Sequence, residues 1–130
     1  MRTAMLKKFL IALLFAPLAA MASVSLKLDR APDRATDKAA LQNGAKLFVN
    51  YCLNCHGASF VRYNRLMDIG LTEQQIKDNL MFTADKIGEP MGISMPRKDA
   101  KEYFGAWPPD LSLIARARAS GSGSGADWLY

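Results

Sequence analysis

Apolar residues are spaced in three ways along this chain. Over residues 9–22 they are nearly continuous, broken by Pro17. From Asp37 the spacing becomes helical: Leu41, Phe48, Cys52 and Cys55 lie seven, four and three apart, forming one stripe on a helix that Asp37 can cap. Gly44 within this stripe costs up to about 1 kcal/mol relative to Ala. It is either the close-approach point of another helix, with Phe48 filling the gap one turn on, or simply tolerated. After Cys55, short periodic runs alternate with breakers. Residues 59–67 put Phe60, Tyr63 and Met67 on one helical face ahead of Gly70. Thr72-Glu73-Gln74-Gln75 is a capping box opening a helix with Ile76, Leu80 and Met81. Residues 86–96 contain Gly88, Pro90, Gly92 and Pro96 and read as loop. Pro96 can occupy the first turn of a helix through Tyr103, closed by Gly105. Asp110, following Pro108-Pro109, can cap a last helix through Arg118 carrying Leu111, Leu113 and Ile114. With no convincing strand alternation and no internal repeat, the expected fold class is mostly α: short helices joined by irregular loops.

Composition matters once the first segment is set apart. Arg2, Lys7 and Lys8, the apolar run and the small residues Ala20-Met21-Ala22 form a secretory signal over residues 1–22, with cleavage expected after Ala22. The run is short for a membrane span. Without it the net charge drops from +5 to +2, so the basic balance is largely an export feature and no nucleic-acid partner is expected. Residues 23–130 form one small domain whose core is thin without a staple or a cofactor.

The cysteines point to a cofactor. Cys52-Leu53-Asn54-Cys55-His56 holds both cysteines and the single histidine. A disulfide here would close a tiny loop and constrain the unfolded chain little. C-x-x-C-H reads instead as covalent attachment of haem c. On a helix, Cys52, Cys55 and His56 share a face, so two thiols can add to haem vinyls while the imidazole reaches the iron. A dithiol oxidoreductase using Cys52 and Cys55 is a weaker alternative, since that chemistry wants a preceding strand in a βαβ setting. Zinc would want four ligands where the chain offers three Cys/His, all adjacent.

Gly44-Ala45-Lys46-Leu47-Phe48 leading into the Cys/His motif resembles the haem-binding opening of cytochrome c domains. Pro108-Pro109-Asp110-Leu111-Ser112-Leu113-Ile114-Ala115-Arg116-Ala117-Arg118 resembles one branch, the cytochrome c1 family, the haem subunit of the cytochrome bc1 complex. Tyr63-Asn64-Arg65-Leu66 and Met81-Phe82-Thr83 extend the likeness. So does the flexible Gly/Ser stretch at 119–125, which on its own would resemble an engineered linker.

The resemblance implies a cytochrome c-like domain around a covalent haem, with thioethers at Cys52 and Cys55 and axial ligation by His56. It implies that Pro108 and Pro109 line the haem pocket and that Arg118 pairs with a haem propionate, where a guanidinium suits a carboxylate. Residue by residue, Asp110 stays a cap. The implied circuit takes an electron from the Rieske iron–sulfur protein and delivers it to soluble cytochrome c, beside cytochrome b. The chain would be an electron carrier and no catalyst on its own, at the periplasmic face of the inner membrane. The family's sixth-ligand methionine and its C-terminal membrane anchor lie beyond the Gly/Ser stretch and are missing here. With Asp127-Trp128-Leu129-Tyr130 ending the chain abruptly, the domain is expected to be incomplete at its C-terminus. Met95-Pro96 mimics the ligand loop of small cytochromes c, and a stand-alone soluble periplasmic cytochrome c ligated by Met95 is the main alternative. Without a distal methionine the iron is expected to be five-coordinate or weakly ligated, at a lowered potential.

Overall fold

The computed structural model describes residues 27–130; the export signal expected at 1–22 lies outside the described residues. Asp37 opens the first helix, α1 (Lys38–Leu47), its Oδ1 accepting from the Ala40 N–H at 3.1 Å. At Phe48 the helix widens. Leu53 N–H reaches back five residues to the Phe48 carbonyl (2.9 Å), and Phe48–Cys52 forms one π-helical turn. The wider turn shifts the expected stripe, because side chains past Leu47 are rotated relative to a 3.6-residue repeat. Val49 and Leu53 become the buried positions, while Phe48 and Cys52 are half-buried. Gly44 has open space where a Cβ would stand, so no close helix crossing occurs there among the described residues.

The helix expected over 59–67 is corrected by the structure. Ala58–Arg62 is a strand, β1, paired antiparallel with β2 (Pro90–Met91), with Ala58 opposite Met91 and Arg62 opposite Pro90 across an irregular register. Tyr63 N–H and Asn64 N–H extend the pairing to the Glu89 and Ile87 carbonyls (3.1 and 2.8 Å). The 86–96 segment is denied a helix by its glycines and prolines, so its free carbonyls become a template for β1. A 3₁₀ helix (Tyr63–Ile69) follows and ends at Gly70, whose φ of 91° suits glycine.

The capping box forms as the sequence predicts, with Thr72 and Gln75 bonded reciprocally at the start of α2 (Glu73–Asn79). This helix delivers Ile76, and Leu80 just beyond it, into a core completed by Val49, Leu53, Ala58, Tyr63 and Met91. Tyr63 is fully buried, and its hydroxyl pairs with Thr83 Oγ1 at 2.8 Å. Helix α3 (Arg97–Phe104) starts just after Pro96 and stops at Gly105 in the left-handed region, φ 71°. The last predicted helix is much shorter than expected: α4 covers Ile114–Ala117 only. Ser120 and Gly123 then exchange backbone bonds in a tight turn (3.0 and 3.3 Å), and α5 (Gly125–Leu129) folds back on α4. Gly125 is buried at that contact, where a Cβ would collide with the Ala115 carbonyl. Ser124 caps α5, its Oγ accepting from Asp127 N–H, while the Asp127 carboxylate accepts from Ser124 N–H and, at 2.8 Å, from Ala31 N–H, tying the two ends of the described chain together. The mostly α architecture of short helices and loops is therefore as expected, with one small sheet added. Among the described residues no helix is long and apolar enough to cross a membrane.

Candidate functional site

The Cys/His motif sits where the π turn unwinds. Cys52 closes that turn, and its carbonyl accepts from both Cys55 N–H (3.0 Å) and His56 N–H (2.7 Å). Leu53 plugs into the core between the two cysteines, so the loop is anchored from below. The motif is therefore a tight turn instead of the continuous helix expected. Cys52, Cys55 and His56 are half-buried, and both thiols are free.

His56 Nδ1 lies 2.8 Å from the Pro109 carbonyl oxygen. A carbonyl can only accept, so Nδ1 carries the hydrogen and the neutral ring keeps its lone pair on Nε2. Nε2 has no protein hydrogen-bond partner among the described residues. Metal-bound histidines are commonly arranged in this way, the second nitrogen donating to a backbone carbonyl that fixes the ring and raises its basicity.

Cys55 and His56 form one wall of a cleft of about 310 Å³. The other walls are Phe104, Ala106, Trp107, Pro108 and Pro109, nearly all apolar. Trp107 is steadied by Arg97, whose guanidinium lies 4.9 Å from the ring centroid. Two thiols, an imidazole with an unpartnered nitrogen and an adjoining apolar wall suit a flat, largely apolar macrocycle held covalently from one edge. These residues therefore fit haem c.

The prolines are held in place by a strip of bonds between the two segments. Leu111 N–H donates to the Gly57 carbonyl (2.8 Å), Ser59 N–H to Asp110 Oδ2 (2.8 Å) and Phe60 N–H to Ser112 Oγ (3.0 Å). Asp110 Oδ1 accepts from Ser112 N–H at 2.9 Å. Partial burial pushes the Asp110 carboxyl up, but donation from Ser112 and Ser59 outweighs it and brings the pKa down to about 2. Asp110 is thus not the helix cap the sequence suggests. Its oxygens are taken up by Ser59 and Ser112, residues 110–113 stay outside the helix, and α4 begins only at Ile114.

The remaining sequence candidates, Cys52, Arg118 and Met95, do not line the cleft. Arg118 is exposed at the end of α4, its guanidinium 4.3 Å from the Trp128 ring centroid. Met95 is half-buried, its N–H bonded to the Asn54 carbonyl of the motif loop (3.1 Å), and it does not line the cleft. Sequence reasoning missed Phe104 and Trp107 as walls and Gly57, Ser59 and Ser112 as supports. The Trp107-Pro108-Pro109 adjacency was a signal for Trp107; nothing local marks the others.

Comparison with known proteins places these features in a family setting. A model of the Cytochrome C1 family matches residues 30–130. A protein of Nitrosomonas europaea named as an ammonia monooxygenase gamma subunit is 51% identical over 127 residues, covering 97% of this chain and 52% of its own length. Cytochrome c1 of Allochromatium vinosum is 42% identical over 120 residues, covering 91% of this chain and 47% of its own. Cytochrome c1 of Rhodospirillum rubrum is 35% identical over 104 residues, 65% of this chain and 38% of its own. The chain spans about half the length of the first two curated relatives.

Proposed function

This chain belongs to the cytochrome c1 family, and on that premise we propose that Cys52, Cys55 and His56 hold the family's haem c and that the chain carries electrons inside a quinol–cytochrome c reductase. Haem c electron transfer is the property of the family; the residues and partners are our reading. One observation carries it: His56 donates from Nδ1 to the Pro109 carbonyl, leaving Nε2 for a metal, within a turn that also presents both thiols.

When bound, haem c supplies one-electron chemistry at an iron whose potential depends on its axial ligands and surroundings. Cys52 and Cys55 would hold it through thioethers, each S–H adding across a vinyl group. His56 would ligate through Nε2, with ring rotation restrained by Pro109. Phe104, Trp107, Pro108 and Pro109 would give the histidine side of the haem an apolar wall, which would favour the less charged form of a redox centre seated against it. Arg118 would pair with a propionate on leaving Trp128, its present partner. Met95 has no role in this reading. The cysteines and the histidine are taken up by attachment and ligation, so the chain itself supplies no nucleophile or general base from them.

The proposed circuit runs from the Rieske iron–sulfur protein to soluble cytochrome c, alongside cytochrome b. Residues 1–22 act as an export signal and 23–130 as haem-domain sequence, working at the periplasmic face of the inner membrane. The likeness to a named ammonia monooxygenase gamma subunit favours a second reading, electron delivery within such an assembly. Which complex co-purifies with the chain separates the two.

The attachment chemistry is tested by expressing the full chain with a c-type haem maturation system. Mass spectrometry should find one haem bound covalently, with the alkaline pyridine spectrum of two thioethers. Cys52→Ser or Cys55→Ser should shift that spectrum to one thioether, and the double variant should lose covalent haem. A wild-type chain without covalent haem would sink the reading.

A further inference from the structure

We propose that Asp110 is a positioning residue for the axial histidine: its carboxylate fastens the proline strip to the backbone beyond His56 and so holds the Pro109 carbonyl against Nδ1. This rests on the reading of His56 as the iron ligand.

The bonding pattern isolates Asp110. Pro108 and Pro109 have no N–H, so the residues that face the cleft cannot anchor themselves by donating. Asp110, the first residue past them, anchors the strip by accepting instead, with Oδ2 taking the Ser59 N–H and Oδ1 the Ser112 N–H. The bond to Ser112 fixes the carboxylate on its own segment, and the bond to Ser59 fixes that segment on β1. Leu111 N–H to the Gly57 carbonyl, and Phe60 N–H to Ser112 Oγ, then align the strip residue by residue. Gly57 provides the room: a Cβ there would stand 3.1 Å from Asp110 Oδ2. The low pKa of Asp110 agrees with a carboxylate held ionised by these donors.

The consequence reaches the iron through one hydrogen bond. The stronger the acceptor at Nδ1, the more basic the imidazole, and a more basic ligand favours ferric over ferrous iron. Loosening the strip lets the Pro109 carbonyl drift from Nδ1, so the ring becomes a poorer donor and the midpoint potential rises. An amide at position 110 keeps one acceptor but turns an NH₂ towards the second N–H, giving an intermediate effect.

The test uses the full, haem-loaded chain as wild type, Asp110→Asn and Asp110→Ala. All three should retain two thioethers. Midpoint potentials should rise in the order wild type, Asn, Ala, with up to a tenfold change in the redox equilibrium constant for Ala, about 59 mV for one electron. If Asp110→Ala does not accumulate, a raised potential in Asp110→Asn carries the proposal. An unchanged potential in Asp110→Asn and in any Ala variant obtained, with haem in place and only melting temperature lowered, overturns it and leaves Asp110 a structural tie. A wild-type chain without covalent haem overturns the haem reading and this proposal together, which distinguishes the two failures.

Discussion

Asp110 also makes a pH prediction at the scale of one residue. Its folded pKa, about 2, lies below the ordinary 3.8, because donation from Ser112 and Ser59 outweighs the cost of burial. A carboxyl depressed in this way adds stability that is fully present above its unfolded pKa and is lost as pH falls through the folded one. The side chain is mostly exposed, so screening cuts the contribution to the order of 1 kcal/mol. The melting-temperature advantage of wild type over Asp110→Asn should therefore hold at neutral pH, shrink from about pH 5, be small near pH 2 and vanish only below it. A difference that stays constant across that range would show that these donors do not hold the carboxylate. The contrast with His56 shows what residue identity reveals. Five consecutive residues, Cys52 to His56, contain the whole of the proposed attachment motif, so that proposal was legible from spacing. Asp110 precedes an apolar run and reads locally as a cap; the donor that recruits it, Ser59, is 51 residues away.

Elements divide along the same line. The α2 capping box depends on contacts within four residues, and it forms as read. Thr72→Ala should cost about 1 kcal/mol, seen as a lower midpoint in urea with an unchanged slope, since α2 carries Ile76 to the core. Strand β1 was misread because its partner, β2, is distant in sequence and itself only two residues long. The π turn was invisible to periodicity for another reason: one additional residue shifts which side chains face inward without changing the sequence pattern. The α4–α5 contact likewise hangs on a glycine inside a low-complexity stretch. Gly125→Ala forces a Cβ into the Ala115 backbone, and overpacking of this kind costs about 1–3 kcal/mol. A changed Trp128 fluorescence and a lower melting temperature should accompany it, and a variant as stable as wild type would mean that α5 does not pack as described.

At the scale of the whole molecule, the long-range ties among the described residues include the 57–60 segment against 110–112 and Asp127 against Ala31, 96 residues apart. Donation from the Ala31 backbone, then from Ser124, lowers the Asp127 pKa. Asp127→Ala should free the first described segment, so limited proteolysis near Ala31 should become several-fold faster while the haem content stays unchanged. Equal cleavage rates would show the tie to be dispensable. By itself the sequence determined the spacing of the Cys/His motif, the caps of α1 and α2, the glycine stops at Gly70 and Gly105, and a mostly helical chain. Each of these is decided by groups a few residues apart, where covalent geometry brings the partners together. Tertiary structure alone decided the β1–β2 pairing, the apolar walls Phe104 and Trp107, and the strip that sets Pro109 against His56. Those depend on backbone groups that neighbours in sequence leave unsatisfied, and burial then requires them to find partners across the fold.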